Sequence, residues 1–393
     1  MSVPSPNLTK DPGHWGKNVG DYESEESRQS GEEMDERRRE QIAYEYLCHL
    51  EEARIWLEGC IHEEVPPTTE LEQGLTNGVI LAKLAHFFAP NVVPLRKIFD
   101  KDLTRYKERG LHFRHTDNIM YFIRAMEKIS FPPVFYPETT DIYDMKNMPR
   151  AIYCIHALSL YLYKLGVAPQ IQDLYGKATF TAEEINAMKL ALDKYGIQMP
   201  HFGKIGGILA NEMSDNDAAL HAAIIAINEA LETNNPAETM KALQNPDARL
   251  SDLTISLSPD YHSILYESKK QKLAQYEIKE KQETDLDVYD RNLTQAEIQG
   301  HVNKVNLKNC IEEINRAIDH RDERILINVL LSKIASLNNV KLENSAWYLQ
   351  NLGDEKTNKA KREGLEYVSL EHKEIQGGVN GANYLADRVR NTF

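Results

Sequence analysis

The hydrophobic pattern starts near Glu32 and is helical almost from end to end. Glu33 and Asp35 precede Arg37 and Arg39 by four residues, an order that supports a helix. Tyr46, Leu50, Ala53, Leu57 and Cys60 then recur at helical spacing until Pro66-Pro67. Thr68-Thr69 reads as the cap of a next helix carrying Leu71, Leu75, Val79, Leu81, Leu84 and Phe88, which stops at Pro90. Residues 91–115 show no period. Thr116 reads as the N-cap of a helix through Ile119, Phe122, Ile123 and Met126, broken at Phe131-Pro132-Pro133. Asn147-Met148-Pro149 opens a helix to about Leu165, closed by Gly166. It is apolar on nearly every side, so it is expected at the centre of a domain. No alternating strand pattern competes, and the predicted fold class is all-α.

Past Gln170 the chain repeats itself. The segment from Ala219 aligns without gaps to the one around Ile311 at an offset of 87. Ile224 falls on Ile311, Asn228 on Asn315, Ala230 on Ala317, Leu243 on Leu330, Leu250 on Leu337 and Tyr261 on Tyr348. A second match joins AEIQGHVNKVN (296–306) to KEIQGGVNGAN (373–383). Such repetition implies units that share one packing plan, with the Asn after each apolar stripe making a local helix contact.

At roughly 100–200 residues per domain, 393 residues suggest two or three domains. The pattern divides them as follows. Residues 1–32 form an acidic segment, expected to be disordered because it has too little apolar surface to offset chain entropy. Residues 33–166 form a compact helical domain, and 167–267 a helical connector with the first repeat. Residues 268–292 read as a charged helical linker, 293–370 as the second repeat, and 371–393 as the start of a further one. Because that last copy stops so early, the chain is expected to be a fragment or short form of something longer.

Charge changes the picture in one place. The chain carries 60 Asp+Glu against 46 Lys+Arg, net -14, so its surface as a whole repels nucleic acid and anionic lipid. From Arg96 to Arg114, however, stand Arg96, Lys97, Lys101, Arg105, Lys107, Arg109 and Arg114 against Asp100, Asp102 and Glu108, a local excess of four positive charges. Charge counting alone favours an ordinary solvated loop. The functional reading is a docking surface for an acidic polymer, with Tyr106, His112 and Phe113 interleaved for contact beyond charge.

Chemistry is otherwise hard to find. The four cysteines, Cys48, Cys60, Cys154 and Cys310, are too scattered for a disulfide framework and point to a reducing compartment. No apolar run reaches the roughly 18 residues a membrane span needs, and there is no hydrophobic signal core. There is no dinucleotide, phosphate-loop, HExxH or GxSxG layout, and the chain is not expected to be an enzyme. His112-x-x-His115, Cys60-x-His62 and Cys154-x-His156 offer paired donors where a zinc site needs four, so no metal or cofactor is expected. The Ile-Gln segments at Ile298-Gln299 and Ile375-Gln376 lack the arginine of a calmodulin-binding IQ motif.

Four stretches, EEARIWLEGCI, LEQGLTNGVILAKLAHFFAP, FRHTDNIMYFIRAMEKISFPP and DIYDMKNMPRAIYCIHALSLYLYKLG, resemble a calponin-homology domain over residues 40–166. FYPETTDIYDMKNMPR, APQIQDLYGK, YGIQMPHFGKIGGILANEMS and LTQAEIQGHVNKVN narrow this to a resemblance to the amino-terminal part of the IQGAP scaffold family, covering about 33–306. The resemblance implies a single calponin-homology domain that binds F-actin, followed by repeats that support self-association as a homodimer. It implies a cytoplasmic protein of the actin cytoskeleton and cell cortex. The docking residues expected on this basis are Arg96, Lys97, Lys101, Arg105, Lys107, Arg109 and Arg114, with Arg150 and Lys164 flanking the central helix. The family's calmodulin-binding IQ motifs and GTPase-binding domain are not matched in this sequence. Calmodulin therefore remains open only through the calponin-homology domain. Microtubules or signalling proteins are the rival partners, and GTPase regulation would need a region not found here. No nucleic-acid module is recognised.

Overall fold

The computed structural model describes residues 31–196, 199–212, 217–280 and 288–390, so the expectation of disorder for the first thirty residues lies outside them. The fold is all-α, as expected, with no strand among the described residues. In chain order the helices are α1 (Gly31–Ile61), α2 (Leu71–Leu75), α3 (Val79–Phe88), α4 (Thr104–Arg109), α5 (His115–Lys128) and α6 (Thr139–Tyr143). They continue with α7 (Met148–Lys164), α8 (Ala182–Tyr195), α9 (Ile205–Glu212), α10 (Asp217–Glu232), α11 (Pro236–Leu243) and α12 (Ser258–Lys279). The last five are α13 (Val288–Arg291), α14 (Gln295–Asp319), α15 (Glu323–Leu330), α16 (Ser345–Glu363) and α17 (His372–Arg390).

Helix α7 is the axis of the first core. The Asn147 side chain caps its start by accepting from the Arg150 N–H, and Pro149 sits in the first turn, where no N–H is missed. Ile152, Cys154, Ile155, Leu158 and Leu162 are buried around it. Against them pack Leu47, Leu50, Trp56 and Leu57 of α1, Leu81 and Leu84 of α3, and Ile119 and Phe122 of α5. The same core continues beyond residue 166 into Met188 of α8 and Ile205 and Leu209 of α9. The Trp56 indole N–H donates to the Pro169 carbonyl at 2.9 Å, tying the segment after α7 back onto α1.

Three local expectations are corrected. The helix read from Leu71 to Phe88 is two helices, because the chain turns at Gly78, where φ is +65°. A Cβ there would overlap Asn118 and Ile119, so only glycine allows this approach. Thr116 does not cap α5: the helix starts one residue earlier, and the Thr116 hydroxyl donates to the Phe113 carbonyl at 2.6 Å. The region without periodicity at 91–115 contains α4, too short to show a period.

Two smaller cores follow, one from Leu220 to Val305 and one from Cys310 to Ala382. Helix α14 belongs to both, with Ile298 and Val302 in the first and Ile314 and Ile318 in the second. The repeat is visible as duplicated bonding. Asn228 donates to the Ile224 carbonyl within its own helix, and also exchanges two bonds with the Leu293 backbone, at 3.0 and 2.8 Å. Asn315 does the same with Ile311 and with Leu370, at 2.9 and 2.7 Å. Tyr261 donates to Asn306, and Tyr348 to Asn383. Lys269 and Lys356 place their ammonium groups on the Asn228 and Asn315 carbonyls and on Glu232 and Asp319. The stretch expected to be a solvated linker from 268 thus begins inside α12, with Lys269 and Gln275 buried.

The first body meets the repeats where α7 crosses α14. Gly300 lies against the Tyr163 ring, so close that a Cβ would overlap it. The Tyr163 hydroxyl bonds His301 Nδ1 at 2.9 Å, and Asn303 donates to the Lys164 carbonyl at 3.0 Å.

Candidate interaction surface

The basic stretch between α3 and α5 is built on two buried side chains of α5. Asn118 accepts from the Phe99 N–H at 2.8 Å and donates to the carbonyls of Phe99 and Asn77, both at 3.0 Å. His115 points back the same way: Nδ1 accepts from the His112 N–H at 2.9 Å, leaving Nε2–H to donate to Asp100 at 3.3 Å. Asp100 in turn accepts the N–H groups of Arg105 and Tyr106 at 3.0 and 2.8 Å and so opens α4. Burial pushes the Asp100 carboxyl up, but those amides and the His115 ring outweigh it and hold it below the ordinary carboxylate value. A stretch with no sequence periodicity is therefore a pinned surface.

On this base the cations stand outward. Arg96, Lys97, Lys101, Arg105, Lys107, Arg109 and Arg114 are all exposed. The structure brings Arg105 and Arg114 together over the Phe99 ring, with guanidinium carbons 5.4 and 4.5 Å from its centroid. The nearest acids make only long contacts, Lys101 to Asp102 at 3.7 Å and Arg114 to Asp117 at 4.0 Å. Among the described residues, Arg96, Lys97, Arg105, Lys107 and Arg109 make no ion pair. Some basic side chains elsewhere are engaged at short range, as in Arg54 with Glu51 at 2.7 Å, Lys83 with Glu63 at 2.6 Å and Lys272 with Glu297 at 2.7 Å. The excess charge of this strip is uncompensated.

Arg150 and Lys164 lie apart from it. Arg150 is half-buried and bonds the carbonyls of Val134 and Tyr136, clasping the turn before α6. Lys164 is half-buried at the α7–α14 crossing, where burial, with Arg249 adding, pushes its pKa down to about 8.

None of the spaced donor pairs forms a metal cluster. His115 is bonded within the loop, and Cys154 faces the Met126 sulfur at 3.6 Å. Sequence spacing singled out His156 but not its neighbours: His49, Glu52 and His156 have ligand atoms within 4.8 Å of one another in the first core. His49 Nδ1 bonds Glu52 at 2.8 Å and His156 Nε2–H donates to the His49 carbonyl at 2.9 Å, while the buried His49 Nε2 has no hydrogen-bond partner and faces Glu45 at 3.7 Å. Burial works against a charged His49, but Glu52 and Glu45 outweigh it and raise its pKa to about 9. Burial and the neighbouring His49 charge push His156 down to about 4. The Ile-Gln segment at 298–299 is folded into α14 with both side chains buried.

The calponin homology (CH) domain family matches residues 47–164, the span of the first core from α1 through α7. The chain thus carries a calponin-homology domain with helical repeats behind it. It is 50% identical to Ras GTPase-activating-like protein IQGAP3 of Homo sapiens, over 92% of this chain and 22% of that protein. It is 59% identical to Ras GTPase-activating-like protein IQGAP2 of Homo sapiens, over 76% of this chain and 19% of that protein. The crystal structure of the calponin-homology domain of Rng2 from Schizosaccharomyces pombe is 38% identical, covering 42% of this chain and 98% of that one at a TM-score of 0.38. The chain is thus similar to IQGAP proteins over most of its own length, and it spans about a fifth of the length of these curated relatives.

Proposed function

We propose that this chain is a cytoskeletal binding protein whose calponin-homology domain docks on actin filaments through the basic strip at 96–114, and that it performs no chemistry of its own. The observation that carries the reading is the uncompensated strip itself: seven exposed cations on a pinned loop, within a chain of net charge -14. An actin filament presents an acidic surface. Attraction to it works against the repulsion of the rest of this chain only if the approach is made by this face. Kinship with the IQGAP proteins and the match to the calponin-homology family support filament binding as the domain's task. The buried Ile298-Gln299 segment argues against calmodulin binding through it. The repeats, continuous with the domain through α14, would multiply the grip if two chains paired, since the second contact forms at raised effective concentration.

The test is charge reversal. Replacing Lys97, Lys101, Arg105 and Lys107 by Glu changes the strip by eight charges while touching no buried group. Filament pelleting is expected to fall at least tenfold in affinity with helicity unchanged. Unaltered pelleting by a fully helical variant would reject this face as the docking surface.

A further inference from the structure

We infer that Phe113 is the apolar anchor of the same surface, and that the partner offers an acidic face with an apolar recess for a phenyl ring; this rests on the filament-binding reading above. Phe113 is 70% exposed, and among the described large apolar side chains only Ile255 and Tyr367 are more so. It does not hang on a loose loop. Its carbonyl accepts from both the hydroxyl and the N–H of Thr116, at 2.6 and 3.0 Å, which fixes it to the first turn of α5. Its ring rests against His112 at a centroid distance of 4.3 Å, and His112 lies 6.0 Å from the Phe99 ring that carries Arg105 and Arg114. Phe113, His112, Phe99 and the two arginines thus form one continuous aromatic and cationic strip.

A phenyl ring in water on a polar surface gains by transfer to an apolar recess. One already held in place loses little freedom on binding. An aromatic ring beside arginines is also the composition that dominates binding energy in protein interfaces. The roles divide. The cations set approach and salt dependence, while the ring sets how long the complex lasts. Aromatic rings in a basic strip can also stack on single-stranded nucleic acid, but the chain's net charge of -14 opposes a polyanion with no apolar recess.

The experiment is equilibrium pelleting of the full chain with actin filaments at low and physiological salt, for the unchanged protein, Phe113→Ala, Phe113→Leu and Ile255→Ala. Phe113 supports no core contact, and circular dichroism verifies that each variant is folded. Phe113→Ala is expected to weaken binding about tenfold at both salt levels, leaving the salt dependence unchanged. Phe113→Leu should recover most of the loss, and Ile255→Ala should bind as the unchanged protein does. If filaments bind the unchanged protein and Phe113→Ala equally well, the anchor is refuted while the filament reading stands. If the unchanged protein ignores filaments, both fall. A mixed-sequence single-stranded oligonucleotide that binds and is lost on Phe113→Ala, with filament binding intact, would overturn the assignment in favour of nucleic acid.

Discussion

Gly300 and Gly377 occupy the same place in the two EIQG segments, yet alanine at each should change stability in opposite directions. At Gly300 the added methyl would overlap the Tyr163 ring. That ring is buried and tied by its hydroxyl to His301, so it cannot swing aside without losing the bond. Forcing a methyl into such a contact costs about 1–3 kcal/mol, against a helix-propensity gain of about 0.5–1 kcal/mol. The net expectation is a loss of up to about 2.5 kcal/mol, concentrated where α7 crosses α14. At Gly377 nothing described lies within 4 Å of the added carbon, so only the propensity gain of about 0.5–1 kcal/mol remains. Urea unfolding gives the sign for each variant, and amide hydrogen exchange locates it, in α14 for one and α17 for the other. Two substitutions that shift stability in the same direction would refute the account of how the calponin-homology domain is joined to the repeats.

Two further predictions concern buried polar groups. His49 has a folded pKa of about 9 against an unfolded value of about 6.5. Its charge therefore contributes stability fully below about pH 6.5, lost as pH rises through 9, on the order of 3 kcal/mol in all. His156, held down at about 4, contributes in the opposite sense, with stability present above about pH 6.5 and lost as pH falls through 4. Urea midpoints measured from pH 6 to 10 should decline for the unchanged protein and decline less for His49→Gln; parallel curves would contradict this. Asn228→Ala and Asn315→Ala each leave a buried backbone N–H and C=O unpaired, at Leu293 and Leu370, and should each cost about 2–4 kcal/mol. A loss below about 1 kcal/mol at either site would show that the clasp is replaced by water.

The helices were legible where apolar spacing is long and regular, as in α1, α5 and α7, because burial of one face leaves a periodic trace. The break at Gly78 was hidden, since its cause is the approach of Asn118 and Ile119, residues some forty positions away. The repeats showed in the sequence through Asn228 and Asn315, but the longer-range half of each clasp did not: Leu293 and Leu370 look like any other apolar residue. The basic strip was legible as composition. That it is pinned by His115 and Asn118 was not, because both belong to the following helix. Arg150 and Lys164 show the converse limit: cations flanking the central helix are drawn into carbonyl bonds or a helix crossing when the fold places them there. The pair His49 and His156, 107 residues apart, left no pattern to find.

The account stands most directly on a binding isotherm of the full chain with actin filaments, measured from dilute buffer to physiological salt. It predicts saturable binding in dilute buffer that weakens steadily as salt screens the strip. A folded, helical sample that stays in the supernatant at every salt concentration, or binds with no dependence on salt, would contradict it.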